Sequence, residues 1–181
     1  MTAGRLFAVV GPSGVGKDSV MAGLHDALPE THLVQRTVTR APGLSGEDYD
    51  AVSVAEFEAR IAAGAFAVHW RAHGLYYGIP AATADHLASG KDCLANFSRK
   101  ALMDGARVFP RFLVLHITAS AETLAARLSA RGRETPEEIS KRLAEAQKPL
   151  PGGLDIVHLS NDGPLADTVA QAVSLLQPVR G

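Results

Sequence analysis

The sequence has only one cysteine, Cys93, among its 181 residues. A single thiol cannot form an internal disulfide, and a chain this poor in cysteine suits a reducing compartment, so we expect a cytoplasmic protein. Long apolar runs are also missing. No segment approaches the ~18 apolar residues that a membrane span requires, and the run Leu6–Val10 is far shorter than the core of an export signal. We therefore predict no membrane partner.

Neither sign of charge dominates the sequence. The chain carries 18 lysines and arginines against 19 aspartates and glutamates, for a formal net charge of −1. Overall charge therefore indicates no nucleic-acid partner, and any bound anion must be recognised by a local group of residues. The seven histidines are scattered without the spacing of metal ligands, so we predict no zinc site.

Short apolar runs do occur, and they alternate with segments of helical periodicity. The predicted strands are 5–10, 32–40, 65–70, 92–98, 112–118 and 155–161, and the predicted helices are 17–28, 53–64, 81–89, 120–130, 135–148 and 164–176. This alternation predicts an α/β fold with a mostly parallel sheet flanked by helices. Ligands in such folds bind beyond the carboxyl ends of the strands. A length of 181 residues suits one domain with small insertions.

A glycine-rich turn with a lysine joins the first predicted strand to the first predicted helix. Its pattern is that of a phosphate-binding loop, in which backbone N–H groups and the helix N-terminus surround phosphate oxygens. Lys17 can reach the β- and γ-phosphates of a nucleoside triphosphate. The predicted loop residues are Gly11, Pro12, Ser13, Gly14, Val15, Gly16 and Lys17.

Asp18 follows the lysine, where such loops usually have a hydroxyl that binds magnesium. A carboxylate is also a hard oxygen ligand, so we predict that Asp18 is linked to Mg²⁺. Ser19 comes next and offers a hydroxyl for the same purpose. A third interpretation is that Asp18 only favours the positive end of the helix. The sequence leaves open which residue contacts the metal.

The order of several motifs resembles that of the guanylate kinase family, over nearly the whole chain. The motifs are GPSGVGK (11–17), TR (39–40), DYDAVSVAEFEARIAAGAF (48–66), YYG (76–78), ARG (130–132), KRL (141–143) and ND (161–162). The resemblance implies a P-loop NTPase fold of the guanylate kinase type, which uses ATP. It also implies a core (1–35, 89–126 and 149–181), an acceptor-binding insertion (36–88) and a lid (127–148).

The resemblance carries over roles to individual residues. Arg40, Tyr49 and Tyr77 match positions that hold the acceptor phosphate. Arg131 and Arg142 match lid arginines that act with Lys17 in catalysis. On the same basis, the nucleotide site is predicted to include Arg127, Asn161 and Asp162 in addition to the loop and Ser19.

The sequence departs from guanylate kinases where those enzymes recognise guanine. Val68 and Ile79 replace hydrogen-bonding groups, and Asn96 and Ser98 replace a pair of aspartates. A second acceptor-binding arginine is replaced by Gly43. A site built to hydrogen-bond a substrate loses roughly 10⁴-fold or more in discrimination when those partners are removed. The sequence thus argues against a guanine base as acceptor.

Arg99 and Lys100 directly follow the strand that lost these acids. Together with the motifs GKDS, GLYYG, NFSR, RGRE and SNDG, this pattern resembles the ribose 1,5-bisphosphate phosphokinases of phosphonate catabolism. That subfamily has the same scaffold and transfers phosphate from ATP to ribose 1,5-bisphosphate, giving 5-phospho-α-D-ribose 1-diphosphate. The resemblance implies a phosphorylated sugar as partner, and we predict that Arg99 and Lys100 bind its 5-phosphate.

Three alternatives stay open at this point. The first is guanylate kinase or another nucleoside monophosphate kinase. The second is an inactive interaction module, although the intact Gly16-Lys17 pair argues against it. The third is a kinase that phosphorylates a hydroxyl group, for which Asp48 or Asp92 could serve as base. The sequence also leaves open whether the protein is a monomer or a homodimer.

Overall fold

The computed structural model describes residues 2–12, 14–43 and 47–176, so the predicted loop residue Ser13 lies outside the described residues. In chain order the elements are β1 (Leu6–Val10), α1 (Lys17–Ala27), β2 (His32–Leu33), β3 (Thr37–Val38), β4 (Asp50–Ala51), α2 (Val54–Ala62), β5 (Phe66–Ala72), β6 (Leu75–Pro80), α3 (Thr83–Ala88), β7 (Cys93–Asn96), a 3₁₀ turn (Arg99–Ala101), α4 (Leu102–Val108), β8 (Phe112–Thr118), α5 (Ala121–Arg131), α6 (Pro136–Ala146), β9 (Ile156–Ser160) and α7 (Leu165–Leu176).

A five-stranded parallel sheet forms the centre of the molecule, in the order β2-β7-β1-β8-β9. Every residue of β1 is buried, as expected for a strand covered on both faces. Apolar residues of α1 and α7, including Leu24 and Leu176, cover one face of the sheet. The predicted α/β fold with a mostly parallel sheet is confirmed.

A second, smaller sheet has the order β4-β3-β6-β5 and lies between Thr37 and Pro80 in the chain. Its largest part is the antiparallel hairpin of β5 and β6, which turns at His73 and Gly74, both with positive φ. The sheet falls inside the stretch predicted as the acceptor-binding insertion. The bounds of core, insertion and lid stay predictions.

Two predictions of secondary structure are corrected. The single strand predicted at 32–40 is two strands, because Leu33 pairs with β7 of the main sheet whereas Thr37 pairs with β6 of the small one. Helix α4 was absent from the predicted elements, and it packs Leu102 fully into the core beside β7.

An aromatic stack joins the two sheets. Tyr77 stacks on Trp70, with 5.5 Å between the ring centroids, and Trp70 stacks on Phe97 at 5.4 Å. Phe97, directly after β7, meets the edge of Phe112. The indole nitrogen of Trp70 also donates a 2.9 Å hydrogen bond to Ser98 Oγ. These contacts hold the small sheet at the carboxyl end of β7, where ligands of parallel sheets bind.

Cys93 is completely buried at the start of β7, and burial raises the pKa of its thiol to about 11. The thiol is therefore unreactive at neutral pH, as expected for a structural cysteine. Within residues 2–12, 14–43 and 47–176, no helix is long and apolar enough to cross a membrane.

Removing the Phe97 ring tests how much the aromatic stack contributes to stability. Phe97→Ala should lower the free energy of unfolding by about 3–5 kcal/mol, because it leaves a cavity at the junction of the two sheets. Urea denaturation measures the change. Leu175→Ala, at a residue that is 51% exposed, is the control and should cost less than about 0.5 kcal/mol. Similar losses in both variants would contradict a special role for the stack.

Candidate active site

The phosphate loop connects β1 to α1 with the backbone conformation that its glycines allow. Gly14 and Gly16 have φ of 83° and 89°, in the left-handed region that side chains disfavour. A Cβ on Gly16 would also lie 2.7 Å from Nδ2 of Asn161, and one on Gly11 would lie 2.8 Å from the Ile117 carbonyl oxygen. The first N–H groups of α1, which begins at Lys17, complete an anion site.

Two predicted nucleotide-site residues support this loop from behind. Asn161 Nδ2 donates to the Val15 carbonyl oxygen at 2.8 Å, and Arg127 Nη1 donates to the same oxygen at 3.1 Å. Arg127 Nη2 donates to the Asn161 carbonyl oxygen at 2.6 Å, and Thr168 Oγ1 donates to Asn161 Oδ1 at 2.7 Å. The arrangement fixes the carbonyl of Val15, which leaves loop N–H groups to face a ligand. Direct contact of Arg127 or Asn161 with the nucleotide stays a prediction.

Asp162 joins the end of β9 to the start of α5. Its carboxylate accepts hydrogen bonds from the Ser120 backbone N–H at 2.7 Å and from Ser160 Oγ at 2.8 Å. The bond from the Ser120 N–H is the main cause that holds the pKa of Asp162 well below its usual range. Contact of this residue with the nucleotide stays a prediction.

Lys17 lies among other cations. Burial, together with the positive charges of Arg36 and Arg40, lowers the pKa of its ammonium from 10.5 to about 8, against the opposing effect of Asp18 and Glu47. These two carboxylates do not offset the desolvation of the lysine. The geometry thus favours a strongly anionic ligand beside Lys17.

The predicted acceptor residues Arg40, Tyr49 and Tyr77 lie together. Arg40 Nη2 donates to the Tyr77 hydroxyl at 3.3 Å, and its guanidinium lies 4.9 Å from the centre of the Tyr49 ring. Although burial opposes it, the hydrogen bond to Tyr77 raises the pKa of Arg40, with help from Tyr49 and Glu47. Tyr49 donates its own hydroxyl to the Ala41 carbonyl oxygen, so in this conformation it supports the Arg40 loop.

Arg36 was not among the predicted site residues, and it is only 4% exposed. Its Nε and Nη2 atoms donate to the two carboxylate oxygens of Glu47 at 2.7 and 2.5 Å, and its guanidinium lies 4.7 Å from the centre of the Tyr77 ring. One signal could have found it. Arg36 and Arg40 are four residues apart in the strand predicted at 32–40, and such a strand would place both on the same face.

The predicted 5-phosphate residues contact backbone carbonyls. Arg99 Nη1 donates to the Glu145 carbonyl oxygen in α6 at 3.1 Å, and Lys100 Nζ donates to the Arg71 carbonyl oxygen in β5 at 3.0 Å. Arg99 therefore bridges the end of β7 and the predicted lid, and Lys100 reaches the small sheet. Their contact with a phosphate stays a prediction.

The lid arginines are joined by one carboxylate. Glu134 Oε1 accepts from Arg142 Nε at 2.8 Å and from Arg131 Nη2 at 3.3 Å. The side chain of Glu134 is 8% exposed, and its Oε2 has no hydrogen-bond partner within the part of the chain that the structure describes. In this conformation Glu134 fixes the mutual position of Arg131 and Arg142. Their catalytic role stays a prediction.

Comparison with known proteins agrees with this geometry. Residues 3–175 match the guanylate kinase family. The chain belongs to this family. It is 47% identical over 178 residues to "Ribose 1,5-bisphosphate phosphokinase PhnN" of Ruegeria sp. (strain TM1040), with 98% of this chain and 94% of the relative covered. The protein of the same name from Rhizobium etli (strain CIAT 652) is 44% identical, with 96% and 89% covered.

Among solved structures, guanylate kinase from Anaplasma phagocytophilum superposes with a TM-score of 0.69 at 18% identity, and 97% of this chain and 86% of that chain are covered. That likeness confirms the guanylate kinase fold.

The guanylate kinase fold places the predicted base-recognition positions side by side here. Val68 and Ile79 are direct partners across the β5–β6 hairpin, and they are 5% and 0% exposed. Ser98 accepts the hydrogen bond from the Trp70 indole. An apolar pair and an already engaged hydroxyl give a purine no polar partner at these positions.

The guanylate kinase family implies a magnesium ion, and the residues present fit one. Asp18 offers a carboxylate in the first turn of α1, half-buried and close enough to raise the pKa of Lys17. Asn96 is 3% exposed at the end of β7, and its Oδ1 has no partner among the described residues. Asn96 follows Leu94 by two positions, so its side chain leaves the sheet on the α1 side. Hard oxygen atoms of this type suit Mg²⁺.

The cost of burying the Lys17 charge can be measured. Because its pKa in the folded chain lies below the unfolded value, the charged lysine destabilises the nucleotide-free protein at neutral pH. Lys17→Met should therefore raise the free energy of unfolding at pH 7 by roughly 1–3 kcal/mol. The folded wild-type chain releases this proton as the pH rises above about 8, so the advantage of the variant should shrink toward pH 10.

Lys148→Met, at an exposed lysine, serves as the control and should leave the free energy of unfolding within about 0.5 kcal/mol at both pH values. An advantage of Lys17→Met that is the same at pH 7 and pH 10 would show that methionine packing, and not lost charge, stabilises the variant.

Proposed function

We propose that the protein is an ATP-dependent ribose 1,5-bisphosphate phosphokinase, which releases ADP and 5-phospho-α-D-ribose 1-diphosphate. The relative from Ruegeria, 47% identical over nearly the full length of both chains, bears that activity in its name. The structural observation that carries the proposal is the pairing of Val68 with Ile79 where a base would need polar partners. Cations converge on the same site, as a phosphorylated sugar without a base requires.

The reaction needs little covalent help from the protein. A bond forms between the γ-phosphorus of ATP and an oxygen of the acceptor's 1-phosphate, while the bond from that phosphorus to the β,γ-bridging oxygen breaks. The acceptor oxygen is already ionised near neutral pH, so no general base is required. Catalysis then consists of positioning the two phosphates and stabilising their charge.

The donor side of the site is rigid. Loop N–H groups and Lys17 bind the β- and γ-phosphates, and the contacts of Arg127 and Asn161 with Val15 hold the loop in place. Asp18 would hold magnesium, and Asn96 Oδ1, at the end of β7, offers a second hard oxygen. Magnesium bound there would supply positive charge that offsets the charge of the phosphates.

The acceptor side uses Arg40, Tyr49 and Tyr77 for the 1-phosphate, and Arg99 and Lys100 for the 5-phosphate. Arg131 and Arg142 reach the transferring group once they exchange Glu134 for phosphate oxygens. We place this chemistry in the cytoplasm, with a phosphorylated sugar as partner and without nucleic acid or membrane, in a monomer or homodimer.

The hydroxyl-acceptor alternative is disfavoured by the position of its candidate bases. Asp92 lies just before β7, at the amino end of the sheet, and forms a 2.9 Å ion pair with Arg5. Ligands bind at the opposite end of the strands. Asp48 Oδ1 accepts a hydrogen bond from Gln35 at the surface. A surface or structural contact accounts for the position of each carboxylate.

Acceptor preference is the direct test of the function. Purified protein with Mg-ATP is offered ribose 1,5-bisphosphate, GMP or ribose 5-phosphate, and phosphorus NMR identifies the products. We expect a diphosphate at carbon 1 from ribose 1,5-bisphosphate, with a kcat/KM at least roughly 10⁴-fold above that for GMP. Comparable kcat/KM values for GMP would instead restore guanylate kinase as the function.

The role of Asp18 predicts a change in magnesium dependence. Asp18→Ala should raise the magnesium concentration at half-maximal rate by roughly tenfold or more, because a hard oxygen ligand is lost. Asp18→Ser should keep appreciable activity through its hydroxyl. The Mg²⁺ dependence of thermal stabilisation by ATP gives a second readout. If both variants show the wild-type titration, Asp18 only favours the helix end.

A further inference from the structure

One carboxylate lies at the centre of the cations on the acceptor side. Glu47 accepts two hydrogen bonds from Arg36, at 2.5 and 2.7 Å, in a bidentate arrangement. Arg36 lies over the Tyr77 ring, and the hydroxyl of that tyrosine accepts from Arg40. The side chains of Arg36 and Glu47 are only 5% and 13% exposed. This is the geometry in which an arginine binds a carboxylate or a phosphate equally well.

The field of Glu47 extends beyond its direct partner. Its negative charge raises the pKa of both Lys17 and Arg40, while the positive charge of Arg36 lowers the pKa of Lys17. Asp18 also acts on Lys17. The group of Lys17, Arg36 and Arg40 keeps an excess of positive charge even when Glu47 and Asp18 are both counted.

We propose that Arg36 is a phosphate-binding residue of the acceptor site, and that the Glu47 carboxylate occupies the position of the acceptor phosphate until the substrate displaces it. This inference rests on the proposed function, since it assigns the occupant as a phosphate of the acceptor. Arg36 thereby joins Arg40 as a specificity-determining cation.

Displacement is favourable for a phosphate because of its charge and shape. A phosphate ester carries about −1.5 to −2 charges near neutral pH and has three acceptor oxygens, against one charge and two oxygens for a carboxylate. Arg36 is never left buried without a partner, because the phosphate accepts hydrogen bonds from the same N–H groups of Arg36 when Glu47 leaves. The bound phosphate carries more negative charge than Glu47, so it offsets more of the positive charge around Lys17 than Glu47 does.

The internal carboxylate also discriminates among acceptors. Any ligand must compete with Glu47 for Arg36, so weakly charged ligands gain little from entering the site. A sugar with two phosphates brings enough charge to displace the carboxylate and to reach a second cation. Glu47 therefore sets a threshold of negative charge for the acceptor.

A purely structural role for the pair predicts the opposite outcome on mutation. If Glu47 only orients Arg36, its removal misplaces the arginine and weakens acceptor binding. If Glu47 competes with the acceptor, its neutralisation strengthens acceptor binding. The sign of the change in affinity therefore separates the two roles, whatever happens to stability.

The decisive variant is Glu47→Gln, which removes the charge and keeps the size of the side chain. In the presence of saturating ADP, calorimetry should give an affinity for inorganic phosphate about tenfold or more above wild type, since a competing charge-assisted contact is lost. The KM for ribose 1,5-bisphosphate should fall by a similar factor. Arg36→Lys, which keeps the charge and loses the fork, should raise that KM by about tenfold or more.

Asp92→Asn provides the matched control, because Arg5 and Asp92 form an ion pair at the amino end of the sheet. It should leave phosphate affinity and acceptor KM at wild-type values. Phosphate affinity that is unchanged or weaker in Glu47→Gln would overturn the inference and make the pair structural. Failure of wild type to phosphorylate ribose 1,5-bisphosphate would reject the proposed function separately, since the phosphate titration does not depend on turnover.

Discussion

Positive charge held in a partly dry cleft is the constraint on which the rest of this structure depends. A cation that will bind phosphate must be placed there before the phosphate arrives, at a cost in desolvation and repulsion. The lowered pKa of Lys17 reflects that cost. Other cations of the predicted site have a carboxylate as partner: Glu47 for Arg36, and Glu134 for the two lid arginines. In the proposed function, substrate phosphates replace these carboxylates.

The proposed sugar acceptor requires few changes to a guanylate kinase fold. The hairpin of β5 and β6 carries two of the predicted base-recognition positions, and here its Val68–Ile79 pair is apolar. The aromatic stack from Tyr77 to Phe97 fixes this hairpin against the main sheet. Specificity can therefore change at a few positions of the hairpin and β7, while the phosphate loop and its supports keep their arrangement. In the proposed function, loss of base recognition and concentration of cations are two parts of one change in substrate.

Much of the fold could be predicted from the sequence, because local signals determine it. The glycines of the phosphate loop predict left-handed turns. Ser120 and Thr135 cap the N-termini of their helices, as expected for Ser and Thr at that position. The split of residues 32–40 between two sheets could not be predicted in this way. It depends on which strands Leu33 and Thr37 pair with, and that is decided by tertiary contacts.

The candidate site was harder to predict for the same reason. Arg127 belongs by sequence to the predicted lid, yet its guanidinium donates to the phosphate loop, 112 residues back along the chain. Arg36 was overlooked because a charged residue within a predicted strand gives no sign of its partner. Its pairing with Glu47, 11 residues away, goes with the pairing of β4 with β3, which is a tertiary contact.

A crystal structure of the complex with ribose 1,5-bisphosphate and a non-hydrolysable ATP analogue tests the central claim most directly. The account predicts that a phosphate of the sugar lies within hydrogen-bond distance of both Arg36 and Arg40, and that Glu47 has left Arg36. A complex in which the sugar is bound while the Arg36–Glu47 pair stays intact would contradict it.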